Sequence, residues 1–337
     1  MSSTMATDRW GAGLPRPPGP WAAAAAAGLP DAGSAEATQI GGSHSVHRVS
    51  ASGRSVIVKV PAIDALEAGR TLAAEAFAYR LASWRPGLAS VMPRVHLVDE
   101  RRQVVVIEAA DTQSTGRDLV SRALLPSPSA SAALGRALAR AHLATQGVPI
   151  PFRASAGVLD LSCDPPPVIT LARARQVALS LAGDTVLGPA LTRARSLWQA
   201  TCLVHGDVKW DNCLVDLTAT PPVVRLIDWE LSGLGDPAWD LAAAMASSIA
   251  LEADSGRPGD DDRSALVSAY FAEGGPADPA RVADYWPARL VHLALECAEA
   301  GADVESAALL ERARLLVGDG DRLAGMMVRW AQRFRPG

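Results

Sequence analysis

The stretch Leu203-Val-His-Gly-Asp-Val-Lys-Trp-Asp-Asn-Cys-Leu-Val215 constrains this chain more than any other. It is a polar island between two apolar runs, 202–204 and 213–215, so a loop pinned on both sides holds Asp207 and Asn212 in a fixed relation. Val224-Arg-Leu-Ile-Asp-Trp-Glu230 repeats the device a short way on. There Val223, Val224, Leu226 and Ile227 read as a buried strand that delivers Asp228 at its end. Two carboxylates and an amide on adjacent rigid supports make a hard, oxygen-rich site, suited to magnesium rather than zinc. The cysteines do not compete for that site. Cys163, Cys202, Cys213 and Cys297 lack the paired spacing of a metal centre and read as reduced core thiols of a cytoplasmic protein.

His205-Gly-Asp-Val-Lys-Trp-Asp-Asn212 resembles the catalytic loop of the aminoglycoside phosphotransferase and choline kinase-like branch of the protein-kinase-like superfamily. Ile227-Asp-Trp-Glu230 is similar to the branch's metal-binding motif, and Gly235-Asp-Pro with Asp240-Leu-Ala242 to the segment that follows it. Three motifs in order make the resemblance specific. It implies an α+β, two-lobed protein-kinase-like fold. A flexible Pro-rich tail (1–19) would precede a small antiparallel-sheet N-lobe with one main helix (20–109), the nucleotide-binding part. A larger, mostly helical C-lobe (110–337) would carry the catalytic loop, metal site and acceptor site.

The bulk properties leave room for this. At 337 residues and 49% hydrophobic, the chain can bury a sizeable core in two lobes. A net charge of −4 gives no support to nucleic-acid binding. No stretch approaches the roughly 20 apolar residues that span a bilayer. The apolar segment 21–27 is short and lacks the charged start of a secretory signal. It reads instead as a short alanine helix opening at Pro20.

Along the first lobe, residues 39–49 read as strand, tight turn and strand. Gly41, Gly42 and Ser43 in the turn fit either a plain hairpin or a phosphate-binding backbone. Arg54–Val60 follows as an apolar strand containing Lys59, and lysine rarely enters a buried strand without a partner. The segment 66–83 is helical by pattern, with Leu72, Ala76 and Tyr79 on one face and Glu75 near its middle. By resemblance, Lys59 holds the α- and β-phosphates of ATP and Glu75 holds Lys59. Residues 92–99 and 103–108 read as a hairpin. By resemblance it leads into the hinge, where backbone groups of Glu108 and Ala110 bind adenine.

In the second lobe, 134–143 is helical and His142 reads as a structural histidine. The segment 147–167 is irregular, 168–199 helical again, and 241–251 a small-residue helix. The aspartate run in 254–262 reads as a solvated turn. Helices are expected over 281–300, 304–317 and 323–334. Glu296, Glu299 and Asp303 fit a solvated face better than a cation site.

The resemblance implies a role for each site residue. Asp207 orients the acceptor hydroxyl and takes its proton, while Asn212 and Asp228 hold Mg2+ against the triphosphate. His205 and Asp240 brace the loop, and Asp236 sets the turn before the next helix. Trp210 itself fits packing beneath the loop better than a substrate platform. Glu230 reaches either a metal or the substrate. Lys209 stands where protein Ser/Thr kinases place a lysine that touches the moving phosphoryl group, and a polar loop residue would serve equally. The expected activity is ATP- and Mg-dependent transfer of the γ-phosphate to a hydroxyl. The acceptor is a small metabolite or antibiotic, or Ser/Thr of a natural-product precursor peptide in a lanthipeptide- or thioamitide-type pathway with a separate lyase as partner. A non-catalytic, nucleotide-binding pseudokinase or scaffold is the reading from a different class.

Overall fold

The structure, a computed structural model, describes residues 19–31, 35–40, 45–61, 72–110, 114–122, 124–154, 156–161, 172–255 and 260–333. The expectations for Gly41, Gly42, Ser43, Cys163 and the tail before residue 19 lie outside the described residues. Chain contacts define two compact units, Met1–Trp84 with Pro93–Asp111, and Arg85–Met92 with Thr112–Gly337. A boundary near residue 109 stands as a proposal beside this division.

In the first unit, strands β1 (Glu36–Gln39), β2 (Ser45–Ala51), β3 (Arg54–Val60), β4 (Val95–Asp99) and β5 (Val104–Glu108) form one antiparallel sheet in the order β1-β2-β3-β5-β4. Side chains alternate across a strand, so Val56, Val58 and Val60 share one face. Helix α1 (Pro20–Ala26) covers that face, where Ala23 and Ala24 join those valines, Val104 and Val106 in one buried cluster. Lys59 points the other way. Helix α2 (Ala73–Ala82) buries Ala76 and Tyr79, with Leu72 just before it, as the periodicity predicts.

The second unit is mostly helical. After α3 (Pro86–Ala89), the two-residue strand β6 (Ser114–Thr115) and α4 (Gly116–Ser121), it continues with α5 (Pro128–Thr145), α6 (Ala172–Ala182) and α7 (Leu187–Ser196). Helices α8 (Pro237–Ser255), α9 (Asp260–Ala272), α10 (Pro279–Glu299), α11 (Asp303–Gly318) and α12 (Gly320–Gln332) follow. Helices α5 and α9 approach so closely that a Cβ on Gly135 would lie 2.2 Å from the Leu266 carbonyl oxygen.

Two readings are corrected. The aspartate run is not a solvated turn where it is described. Asp260, Asp261 and Asp262 form the first turn of α9, where acids meet the positive end of the helix dipole, and Asp262 is buried. The strand before Asp228 is β9 (Val223–Leu226), and it alternates rather than being buried throughout, with Val224 and Leu226 inside and Val223 exposed. Among the described residues, no helix is long and apolar enough to cross a membrane.

Candidate active site

The loop 205–212 hangs between β7 (Cys202–Val204) and β8 (Cys213–Asp216). β7 pairs with β10 (Gly233–Gly235) and β8 pairs with β9. Buried apolar side chains on both flanks fix the loop's ends, and hydrogen bonds fix its middle. The Asp240 carboxylate, at the start of α8, accepts the main-chain N–H of His205 at 2.6 Å and of Gly206 at 2.9 Å. It also accepts from His142 Nε2 at 3.1 Å, which leaves His142 Nδ1 to accept from the Tyr270 hydroxyl at 2.9 Å. His142 is thus a structural histidine. His205 Nε2 donates to the Ile227 carbonyl at 2.8 Å, tying the loop to the residue before Asp228. Gly206 has φ +85°, and a Cβ there would sit 2.4 Å from the Leu231 carbonyl oxygen, so only glycine fits.

Asn212 Nδ2 donates to both the main-chain oxygen of Asp207 (2.9 Å) and its Oδ2 (3.0 Å). Both partners are acceptors, which orients the amide and leaves its oxygen as the end open to a cation. Ile227 N–H donates to the Asn212 carbonyl at 3.0 Å, so Asp228 follows immediately from the loop's own ladder. Asp228 adopts φ 68°, ψ 58°, the left-handed region that aspartate tolerates better than bulkier residues. Asn212 and Asp228 offer only oxygen donors, which fits magnesium.

Around Asp207 the charges are closely balanced. Lys209 Nζ stands 2.8 Å from Asp207 Oδ2 and 3.6 Å from Glu296 Oε2, and His292 Nε2 is 3.2 Å from Glu296 Oε1. Burial by itself raises the Asp207 carboxyl, but Lys209 and Arg289 overcome it and bring the group down to about 2. Asp207, His292 and Glu296 also cluster with the spacing of a cation site. The Lys209 ammonium already lies against two of these carboxylates, so we assign it that place rather than a metal. Trp210 is buried beneath the loop, and its main-chain N–H donates to the Ser247 hydroxyl at 3.3 Å. Asp236 Oδ1 accepts the Ala238 N–H at 3.0 Å, as its place before α8 suggests.

In the first unit, Lys59 Nζ donates to Glu75 Oε1 at 2.9 Å and Oε2 at 3.0 Å, with Glu75 fully buried. At the end of β5 the Glu108 N–H already donates to the Arg94 carbonyl at 2.8 Å. The adenine contact expected of Glu108 therefore narrows to its carbonyl.

The sequence from 36 to 285 matches the model of the Phosphotransferase enzyme family, about three quarters of the chain. The chain belongs to that family. Among solved structures it is similar to a choline/ethanolamine kinase family protein from Mesorhizobium loti, with TM-score 0.59 and 22% identity over 91% of this chain and 97% of that one. It is also similar to the choline kinase LicA from Streptococcus pneumoniae, with TM-score 0.55 and 17% identity over 84% and 93% of the two chains. A thermostable mutant of aminoglycoside phosphotransferase APH(4)-Ia, in ternary complex with ADP and hygromycin B, matches with TM-score 0.52 and 15% identity over 85% and 94%. At these identities the likeness speaks for the fold, which is the two-lobed, kinase-like α+β fold expected. No curated protein sequence matches the chain.

Sequence reasoning within this phosphotransferase missed two site neighbours. Arg289 and His292 lie on α10, far along the chain from the loop, and carry no motif. The sequence pattern of Glu296 suits a solvated face. The structure instead sets it against Lys209 and His292, whereas Asp303 remains largely exposed.

Proposed function

We propose that this phosphotransferase moves the γ-phosphoryl group of ATP to the hydroxyl of a small molecule, with magnesium as cofactor. The observation that carries this reading is Asn212, whose amide N–H groups donate to the main-chain oxygen and carboxylate of Asp207, so that its own oxygen is the atom left to meet a cation. Asp207 stays ionised, so it can orient an acceptor hydroxyl and take its proton as the new O–P bond forms. Asn212 and Asp228 hold magnesium, whose contribution is charge neutralisation on the phosphate oxygens. Lys59, braced by Glu75, binds the α- and β-phosphates. Gly41, Gly42 and Ser43 are proposed phosphate contacts, and backbone groups at Glu108 and Ala110 contact adenine. Lys209 steadies the moving phosphoryl group, and His205 and Asp240 keep the loop in shape. Transfer of this kind needs alignment and charge more than covalent help, and these side chains supply that chemistry.

The small-molecule acceptor draws support from the neighbours' names: one is a choline kinase and another was captured with ADP and hygromycin B. Lys209, 2.8 Å from Asp207, favours a second reading in which the acceptor is Ser or Thr of a peptide, with a separate lyase downstream. Phosphate transfer from labelled ATP-Mg to two acceptor panels, small hydroxylated molecules and Ser/Thr peptides, separates the readings. Asp207→Ala is expected to lower transfer by about 10²–10⁴-fold with the melting temperature retained. Unchanged transfer in that variant would sink the assignment of Asp207. Nucleotide binding without transfer to either panel would favour a non-catalytic role.

A further inference from the structure

Helix α10 presents Arg289, His292 and Glu296 on one face, at positions i, i+3 and i+7. All three reach the surroundings of Asp207. Arg289 is the unusual member. Its side chain is 1% exposed, and its guanidinium lies 4.8 Å over the Trp239 ring. Nη1 donates to the Gly206 carbonyl at 3.2 Å, Nη2 stands 3.8 Å from Asp207 Oδ1, and Nε has no hydrogen-bond partner among the described residues.

As a device for stability this is poor. A guanidinium carries five donors, and a buried charge that leaves most of them unused costs more than an apolar side chain of similar volume. What Arg289 does touch is the pair of residues that sets the catalytic carboxylate. Asp207 Oδ2 is held by Asn212 and Lys209, whereas Oδ1 is buried and, among the described residues, has no hydrogen bond and pairs only with the more distant Arg289. Partners on Oδ2 alone leave the carboxylate able to rock about that oxygen. A cation facing Oδ1 restrains that motion.

We propose that Arg289 is a positioning residue for phosphoryl transfer: from α10 it ties down the Gly206 carbonyl and faces Asp207 Oδ1, fixing the plane of the carboxylate. The inference rests on the role proposed above for Asp207. The family match ends at residue 285, so the motifs that identify the loop do not extend to Arg289.

The test compares wild type, Arg289→Met and Arg289→Lys at a temperature where all are folded. It measures kcat, KM for ATP, melting temperature and hydrogen exchange of the 203–215 segment. In Arg289→Met, kcat is expected to fall about 100-fold, the cost of a misplaced reacting group, with KM for ATP unchanged. The melting temperature should stay within about 4 °C of wild type or rise, because the residue is under-satisfied. Exchange in 203–215 should be faster. Arg289→Lys keeps the charge without the fork and should lie between, about tenfold below wild type in kcat at unchanged KM.

A Met variant with kcat within about threefold of wild type overturns the proposal, as does a loss that appears in KM rather than kcat. A Lys variant equal to wild type overturns it whatever the Met variant does. If wild type transfers phosphate to no acceptor, the functional reading fails, and the exchange comparison still decides whether Arg289 holds the loop.

Discussion

Lys59 and Glu75 show what a single pair of residues commits a fold to. Glu75 is fully buried and Lys59 nearly so, and each oxygen of the carboxylate meets the ammonium within 3.0 Å. Removing one member of such a pair takes a counter-charge from a buried ion. Glu75→Met is therefore expected to destabilise the protein by about 3 kcal/mol, and Lys59→Met by a similar amount. The double variant should lose less than the two singles summed, and urea titrations of all four proteins measure the difference. Strict additivity would show that the two residues do not act as a pair. That Lys59 needs a counter-charge was legible because a lysine inside an apolar strand rarely lacks one, while the choice of Glu75 came from the resemblance. Asp207, Asn212 and Asp228 were legible for a related reason: polar residues caught between short apolar runs have few conformations open to them.

At the scale of elements, helix starts and cross-ties carry the second unit. Asp184 accepts the main-chain N–H groups of Val186 and Leu187 at 2.8 Å each, capping α7, and its Oδ2 receives Arg314 Nε and Nη2 from α11 at 3.0 and 2.8 Å. Burial raises its carboxyl, but these N–H groups and Arg314 outweigh it and hold the group below its ordinary 3.8. A carboxyl lowered by folding stabilises fully above its unfolded pKa, and that contribution is lost as pH falls through the folded value. Asp184→Ala should therefore cost about 1–2 kcal/mol at pH 7. The gap from wild type should close as pH drops below 3.8, as thermal melts at several pH values would show. A gap that persists at pH 2 would mean that the loss is one of packing. Strands and amphipathic helices were well marked in the chain. Helix α9 was not, because the aspartate run that opens it reads the same whether it starts a helix or faces water.

Over the whole molecule, the last two helices lie beyond the family match yet belong to the packing that holds α10. α12 buries Leu323, Met327 and Ala331, and its Trp330 carbonyl accepts the Ser268 hydroxyl of α9 at 2.9 Å. Deleting residues 320–337 would expose the apolar faces of α9 and α10 that α12 covers. The truncated chain is expected to lose its cooperative thermal transition or to aggregate, as calorimetry with size-exclusion chromatography would register. A truncated protein that melts within a few degrees of the full chain would show α12 to be dispensable.

The sequence by itself determined most of the strands and helices and the loop 205–212 with Asp228 beyond it, because each is a local pattern with a local physical cause, and its motifs carried the resemblance to the family. Periodicity sets burial, and short apolar flanks set loop position. It could not determine the wall that α10 places against Asp207. Arg289, His292 and Glu296 stand more than 80 positions away, on a helix whose spacing would equally suit a solvated face. Only packing brings that helix face to the loop, and contacts between distant elements leave no pattern in either segment alone. The role of a buried charge is decided by what it meets, and that is a property of the tertiary structure.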